Sequence, residues 1–544
     1  MKNISTSILL IIFLSFFSKT QSQTRIPPEK PRLVIGIVVE NMRNEYLYRF
    51  WDKFEKKGFK RLIAEGSFCK NAGYDYLITQ SAPGYASIVA GCSPSQHGIV
   101  GNFYYDRKKD EMQDCCFDKK AKSIGSKTYS GKLSPKQLLT TTFSDELKFM
   151  NKGKPKVISI SGNYQAAIIA GGHAADVAYW YDDFSGSWIS TNYYLKDLPE
   201  WVIAFNNKKL CDIYIQQEWT TLLPIEEYTE SLPDDNKFEK GYGRKQKMFP
   251  FDIQKIKEKD DNYSILMKTP YGNSLTKDFV LETILNEKLG IDDTTDVLMI
   301  SFSPFSKIEN SFHTKSIEIE DAYLRFDKEL AHFLKFIDNE LGKQNVLLFL
   351  TADCNGPLNQ EILKKNKLPV KVFNAENATV LLKAYMNAIY GPGDWVLKYY
   401  NQQFYLNNIL IEDANLSIAE VQTKVAQFIQ QMSGVANAVT SANMKRIDYT
   451  DGIFSKVQNS YYSKRSGDVF INLEPGCIEK NDNAINGKTG KIETIPLIWY
   501  GWKIKRSTIN RPVSMFDIAP TISNFLNIPY PNGCEGVPIL ELVE

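Results

Sequence analysis

RLVIGIVVE, residues 32–40, is an almost unbroken apolar run that ends on a carboxylate, and runs of this kind decide the fold class. Four more follow along the chain: KVISIS at 156–161, DVLMISFS at 296–303, NVLLFLTA at 345–352 and IPLIWYG at 495–501. Runs this apolar are typical of strands that are buried on both faces. Because helical segments alternate with them, the sequence predicts an α/β fold with a mostly parallel central sheet flanked by helices.

The segments between these runs differ in regularity. Apolar side chains recur at helical spacing over 316–341, which predicts a long helix after the third run. The stretches at about 175–290 and 375–460 are less regular and rich in aromatic, Asn and Lys residues. We expect both to be insertions over the functional edge of one large domain that spans residues 24–544.

The first 23 residues have the pattern of a secretory signal peptide. Lys2 precedes an apolar run from Ile8 to Phe17, and small polar residues follow it. That run is too short for a spanning helix, and no later segment holds about eighteen apolar residues in succession. We therefore expect an exported protein, periplasmic or extracellular, with no transmembrane segment in the mature chain.

Composition and charge narrow the range of partners. With 544 residues, of which 43% are hydrophobic and 24% charged, the chain is large enough for one big core. The net charge is +2, and loss of Lys2 and Lys19 with the leader brings it to 0, so no global field favours nucleic acid. Disulfides are compatible with eight cysteines in an exported chain. We expect the adjacent Cys115 and Cys116 to pair with other cysteines.

Polar side chains follow the predicted strands at the edge where parallel sheets bind ligands. Strand by strand, they are Glu40, then Asn163 and Gln165, then Ser306 and Asn310, then Asp353 and Cys354. This edge is polar and carries few charges.

The segment TQSAPGYASIVAGCSPSQHGIVGNFYYD, residues 79–106, has the layout of a phosphoryl-transfer site. The hydroxyl of Ser81 precedes a Pro-Gly pair and a short apolar helix, and the N-terminus of a helix can hold an anion with its free N–H groups. Asn102 follows and is available to contact a bound oxygen. The sequence therefore predicts a nucleophile and an anion site in this segment.

Several motifs follow one another over nearly the whole mature chain in the order and spacing of a known family. They are LVIGIVVENMRNEYL, GYDYLITQSAPGYASIVAG, SPSQHGIVGNFYYD, SIEIEDAYLRFDKEL, LLFLTAD, KRSGD at 464–468 and FDIAPTISNFLNIPYPNG. In these motifs the chain resembles the alkaline phosphatase superfamily. The resemblance is greatest to its exported, phosphate-irrepressible alkaline phosphatases, which are relatives of the nucleotide pyrophosphatase/phosphodiesterases. It implies two zinc ions roughly 4 Å apart that activate a Thr or Ser nucleophile and stabilise the leaving oxygen.

The metal ligands implied by this resemblance are largely replaced. Glu40 stands where the family has an Asp after the first strand, and Ser306 and Asn310 stand where it has an Asp and a His after the third. The family's Asp-His pair after the fourth strand is here Asp353 followed by Cys354.

The loop NDNAINGKTGKIET at 481–494, where the family carries its last His, has none. Because zinc takes His, Cys and carboxylate ligands, the chain retains donors for one site at most. That candidate site is Glu40, Asp353 and Cys354, with zinc or another divalent metal as the possible cofactor.

The phosphate-binding residues are also changed. Ser81 keeps the hydroxyl of the nucleophile position, and Asn102 is retained. Asn163 and Gln165 replace a Lys and an Arg that bind phosphate oxygens in the family, and Tyr85 stands where the phosphatases carry a His. Phosphoryl transfer depends on charge neutralisation, so these losses predict very weak phosphatase activity.

The remaining histidines and cations have simpler interpretations. His97 and His173 are expected to be structural and His332 lies within the predicted long helix, whereas His313, one turn beyond Asn310, is a candidate substitute ligand. The Lys-Arg step at 464–465 belongs to the family motif KRSGD, and we expect it to hold structure or line the rim of the site.

Three hypotheses follow. The leading one is a degenerate exported alkaline-phosphatase-like protein, a pseudoenzyme that has lost two-zinc phosphomonoesterase chemistry and acts by binding a ligand or an envelope protein. The second is a single-metal hydrolase of phosphodiesters or sulfate esters with Ser81 as nucleophile. The third is a structural subunit of an envelope assembly. Normal two-metal phosphatase activity is not expected under any of them.

Overall fold

The structure of the protein is a computed structural model. It describes residues 27–126, 131–237, 239–242, 246–260, 262–354, 367, 370–481, 484–486 and 494–543. The predicted signal peptide at 1–23 and most of the loop at 481–494 lie outside the described residues.

Strands and helices alternate through most of the chain. The strands are β1 Leu33–Val39, β2 Ser67–Gly73, β3 Phe103–Asp106, β4 Glu111–Asp114, β5 Ser123–Ile124, β6 Val157–Ser161, β7 Val177–Asp182, β8 Ser187–Thr191, β9 Glu218–Trp219, β10 Phe251–Asp252, β11 Asp296–Phe302, β12 Val346–Thr351, β13 Lys371–Asn374, β14 Val396–Tyr400, β15 Gln403–Leu406, β16 Val435–Thr440, β17 Val469–Leu473, β18 Cys477–Asn481, β19 Ala484–Asn486, β20 Ile495–Gly501 and β21 Ser507–Ser514.

The α-helices flank the sheets. They are α1 Asn44–Arg49, α2 Phe59–Glu65, α3 Ser81–Ala90, α4 Pro94–His97, α5 Phe143–Met150, α6 Tyr164–Gly171, α7 Glu200–Asn207, α8 Leu210–Ile215, α9 Ile253–Asp260, α10 Tyr271–Glu287, α11 Pro304–Phe312, α12 Ile317–Glu340, α13 Ala375–Tyr390, α14 Asn408–Asp413, α15 Ile418–Ile429, α16 Ser441–Arg446, α17 Gly452–Asn459 and α18 Ile518–Leu526.

The central sheet has ten strands in the order β21-β2-β20-β12-β1-β11-β6-β7-β8-β5. The run β12-β1-β11-β6-β7 is parallel throughout, whereas β20 is antiparallel to both of its neighbours and β8 is antiparallel to β7. All five apolar runs of the sequence form strands of this sheet. The predicted α/β class with a mostly parallel, helix-flanked sheet is therefore confirmed.

Strand register brings the candidate residues to one edge. Leu33 in β1 pairs with Asp296 in β11 and with Val346 in β12, so the three strands start level and also end level. The backbone N–H of Glu40 then donates to the carbonyl of Phe302 at 3.1 Å. The residues that follow these strands consequently meet at the carboxyl end of the sheet, as expected for a parallel arrangement.

The predicted long helix is present as α12. It begins after Ser316, whose hydroxyl accepts the N–H of Ile319 at 3.2 Å and so satisfies one of the free donors of the first turn. Its apolar side is buried against the main core, in agreement with the spacing of the apolar residues.

The two stretches expected as insertions differ in how they pack. The range 175–290 begins with β7 and β8, which are strands of the central sheet, and its aromatic residues join the main core. By contrast, β14, β15 and β16 of the range 375–460 form a separate four-stranded sheet with β17. Residues of this range supply most of a second hydrophobic core. Within the described residues, no helix combines the length and apolar character that crossing a membrane requires.

Candidate functional site

Ser81 is the first residue of α3, and the start of this helix is fixed by Asn102. The side-chain oxygen of Asn102 accepts the N–H of Ala82 at 2.9 Å, and its own backbone N–H donates to the side chain of Gln80 at 2.9 Å. Asn102 therefore caps the helix that carries Ser81.

Glu40 is held by neutral side chains. It is 2% exposed, and its carboxylate accepts the hydroxyl of Ser306 at 2.7 Å and the amide of Asn163 at 3.2 Å. Burial, followed by the charge of Asp353, raises the pKa of Glu40 to about 8. At neutral pH this carboxyl group is therefore mostly protonated, so it does not repel an anion as a charged carboxylate would.

Asp353 is held by the backbone of two neighbouring segments. Its Oδ1 accepts the N–H groups of Asn41 at 2.9 Å and of Cys354 at 2.8 Å. Burial raises its pKa, and the nearby Ser81 hydroxyl is the largest effect that opposes this. The buried Oδ2 makes no hydrogen bond of normal geometry. Among the carboxyl oxygens of Glu40 and Asp353, it is the one without such a hydrogen bond.

Cys354 is a buried thiol in contact with Asn41. Its Sγ donates to the side-chain oxygen of Asn41 at 3.2 Å, and the side chain of Asn41 donates in turn to Glu309 at 3.0 Å. All eight cysteines are free thiols in this structure. Cys354 therefore packs into a hydrogen-bonded network with the loop that follows β1.

Tyr85 supplies the contact that sequence reasoning left unexplained. It is fully buried, and its hydroxyl hydrogen-bonds that of Ser301 at the end of β11. After burial, the charges of Glu40 and Asp353 are the main causes that raise its pKa well above the usual value. A phenol ring therefore lies close to both carboxyl groups, where the phosphatases carry a His.

The positions where the resemblance implies a Lys and an Arg carry neutral amides with protein partners. Asn163 caps α6 by accepting the N–H of Gln165 at 3.0 Å. Gln165, which is 4% exposed, donates to the carbonyl of Asn102 at 2.9 Å and to Asp114 at 3.3 Å. Both amides thus support the site and bring no positive charge to it.

The donor set does not fit a two-zinc centre. Ser306 and Asn310 offer no zinc ligand of the usual kinds, and Asn310 is exposed. In the part of the chain that the structure describes, only Asp114, Cys115 and Cys116 form a set of three metal-binding side chains whose ligand atoms lie within 4.8 Å of one another. As the side chains stand, the candidate set Glu40, Asp353 and Cys354 does not converge to that distance.

The histidines make contacts away from the carboxyl groups of the strand ends. His97 is fully buried and hydrogen-bonded to Ser87, and burial lowers its pKa to about 3. The ring of His313 contacts Asn236 at 3.1 Å and Glu239 at 3.3 Å. In these contacts both rings support the packing of loops, and His313 is not directed at Glu40 or Asp353.

Two cations near the site have structural partners. Arg465 is 9% exposed and donates to the carbonyls of Gly98 and Gln137, the latter at 2.8 Å, so it holds two loops together. Lys307 follows Ser306, and its charge lowers the pKa of Glu40 slightly against the larger effect of burial. It also lies 3.8 Å from Asp183. Sequence reasoning missed Lys307, although its place next to Ser306 was a usable signal.

We expect the buried carboxyl group of Glu40 to make stability depend on pH. Its pKa is about 8 in the folded state and about 4.5 when exposed, so the folded state holds the extra proton between these values. The free energy of unfolding should therefore fall as pH rises from 5 to 8, and Glu40→Gln should remove on the order of 4 kcal/mol of that fall.

Chemical denaturation of wild type and Glu40→Gln at pH 5 and pH 8 measures this difference. Glu45→Gln is the matched control, because Glu45 lies five residues further on and is exposed. Equal pH dependence in wild type and Glu40→Gln would show that Glu40 is charged in the folded protein at neutral pH.

Comparison with known proteins agrees with this fold. Residues 34–490 match the type I phosphodiesterase / nucleotide pyrophosphatase family. The chain is 36% identical to alkaline phosphatase PhoV of Synechococcus elongatus over 98% of both chains, and 33% identical to alkaline phosphatase PafA of Elizabethkingia meningoseptica, again over 98% of both.

A crystal structure of wild-type PafA superposes with a TM-score of 0.89 at 34% identity, covering 95% of this chain and 99% of the other. The resemblance seen in the motifs is therefore confirmed over nearly the whole described chain. This protein belongs to the type I phosphodiesterase / nucleotide pyrophosphatase family, and its relatives include alkaline phosphatases.

Proposed function

We propose that this chain is an exported, alkaline-phosphatase-like protein that has lost two-zinc phosphomonoester chemistry and acts by binding a ligand or a protein partner. One observation carries the proposal: the ligand atoms of Glu40, Asp353 and Cys354 do not all lie within 4.8 Å of one another as the side chains stand. Ser306 and Asn163 donate to Glu40, and backbone N–H groups donate to one oxygen of Asp353.

The charge balance of the site supports a neutral or weakly charged ligand. Phosphate monoesters carry two charges at alkaline pH, and their enzymes neutralise these with metal ions, Lys or Arg. Here Asn163 and Gln165 stand at the positions where the resemblance implies the Lys and the Arg, and neither carries a charge. Amides and hydroxyls bind uncharged polar groups well, but they cannot replace those cations.

One observation favours the single-metal hydrolase as the second candidate. The unpartnered Oδ2 of Asp353 could accept a metal, and the hydroxyl of Ser81 lies close enough to this carboxyl group to affect its pKa. A phosphodiester or a sulfate ester carries one charge, so its hydrolysis would demand less neutralisation. Side-chain movement would be needed to bring Glu40 and Cys354 to the same ion.

The Ser81→Ala variant distinguishes the binding protein from the single-metal hydrolase. If the chain acts by binding, the variant should retain any trace hydrolysis of bis-aryl phosphodiesters and aryl sulfates seen in wild type. A Ser81 nucleophile predicts a loss of roughly a thousand-fold or more. Its folding should not change, because Asn102 and not Ser81 caps α3.

Ile88→Val, a small apolar change in the buried face of the same helix, is the control for nonspecific effects on α3. Metal-dependent turnover that Ser81→Ala abolishes while Ile88→Val retains it would replace the binding proposal with the hydrolase one.

A further inference from the structure

The turn after β4 carries two thiols and a carboxylate on the same side. β3 and β4 form a hairpin in which Phe103 pairs with Asp114, and Cys115 and Cys116 follow directly. Their sulfur atoms lie 3.9 Å apart, although adjacent side chains in an extended strand would point to opposite faces. Contrary to the expectation from sequence, the two thiols face each other and not other cysteines.

The distances between the three donor atoms are those expected for side chains that bind one small cation. The ligand atoms of Asp114, Cys115 and Cys116 all lie within 4.8 Å of one another. Two thiolates bound to one tetrahedral zinc ion, with Zn–S bonds of about 2.3 Å, lie about 3.8 Å apart. The observed distance between the sulfurs therefore needs almost no adjustment to hold such an ion.

The carboxylate of this cluster is oriented in advance by neighbouring groups. One oxygen of Asp114 accepts the N–H of Cys116 at 2.7 Å, and the other accepts the hydroxyl of Tyr164 at 2.5 Å and the amide of Gln165 at 3.3 Å. Hydrogen bonds of this kind orient a metal ligand and increase metal affinity. Cys115 and Cys116 are buried and Asp114 is partly exposed, so an ion would enter past the carboxylate.

We propose that Asp114, Cys115 and Cys116 form a binding site for one thiophilic divalent cation of the zinc and cadmium class. Two sulfurs and a carboxylate suit such ions, whereas calcium and magnesium take oxygen ligands alone. The site is separate from the lost two-zinc centre and does not depend on the proposed function. It lies beside Asn102, since the N–H of Cys115 donates to the carbonyl of Asn102 at 3.1 Å.

Cadmium titration of the full-length, reduced protein tests this site. We expect one equivalent of Cd²⁺ to bind and to give the ultraviolet charge-transfer band of a cadmium thiolate. Cys115→Ser and Cys116→Ser should each weaken binding at least about ten-fold and reduce the band, whereas Cys211→Ser, which changes a buried cysteine on α8, should match wild type.

X-ray absorption at the cadmium edge counts the sulfur neighbours of the bound ion in the wild-type protein. This measurement therefore tests the site even if a serine variant fails to fold. The proposal predicts two sulfur neighbours, with oxygen filling the rest of the coordination shell. A band that survives in Cys116→Ser, a sulfur count of zero or four, or recovery of Cys115 and Cys116 from the oxidised protein as a disulfide with each other would each overturn it.

Discussion

Supplied with zinc, the purified protein is expected to hydrolyse an aryl phosphate monoester at least about ten-thousand-fold more slowly than PafA assayed beside it. One preorganised donor is worth roughly a hundred-fold or more in rate. The resemblance implies a Lys and an Arg at the positions of Asn163 and Gln165 and a metal ligand pair at those of Ser306 and Asn310, whereas the residues present supply neither a positive charge nor a usual zinc ligand. The combined loss is large even though such effects do not simply add.

A restoration variant sharpens this test. Replacing Asn163 with Lys and Gln165 with Arg returns the two cations but no metal ligand, so we expect little recovery of phosphatase activity. Turnover by the parent protein within about a hundred-fold of PafA would contradict the proposed loss of the reaction. The Ser81→Ala variant shows whether any residual rate belongs to this protein or to a contaminating phosphatase.

Gly84→Ala is expected to destabilise the protein by at least about 3 kcal/mol, because α3 crosses the end of β12 with no space for a side chain. A Cβ atom at Gly84 would lie 1.9 Å from the backbone carbonyl oxygen of Asp353. Backbone cannot move aside as a flexible side chain would, so the helix would have to shift away from the strand end. The contact between Ser81 and Asp353 would then be lost.

Denaturant unfolding of Gly84→Ala beside Gly73→Ala measures this effect. Gly73 ends β2, and a Cβ atom there would meet nothing within 4 Å, so the same substitution should be close to neutral. An unfolding free energy for Gly84→Ala equal to that of the parent would show that α3 and β12 are not in the predicted contact.

The strands of the sheet could be predicted because they are buried on both faces. LVIGIVV and DVLMISF contain few polar side chains, so their strand character is clear from the sequence. The predicted apolar runs begin and end within a residue or two of β1 and β11. The meeting of Glu40 and Asp353 followed from parallel topology alone. By contrast, β7 and β8 lie within the range 175–290, which is less regular in sequence and rich in aromatic residues, and VAYWYD and SWIST lack the unbroken apolar character of the other strands.

The contacts that determine the chemistry of the site were harder to predict. The pKa of Glu40 depends on how deeply it is buried and on its distance from Asp353, neither of which a sequence states. Tyr85 reads as one more apolar residue of a short helix, and its position near two carboxyl groups appears only after packing. Asp114 lies in a hairpin far along the chain from Gln165, so their hydrogen bond left no local pattern.

The most direct test of the central claim is anomalous diffraction at the zinc edge from crystals grown with zinc. We expect no pair of ions beside Ser81 and at most one ion, at Cys115 and Cys116. Two ions roughly 4 Å apart between Ser81, Glu40 and Asp353 would contradict it.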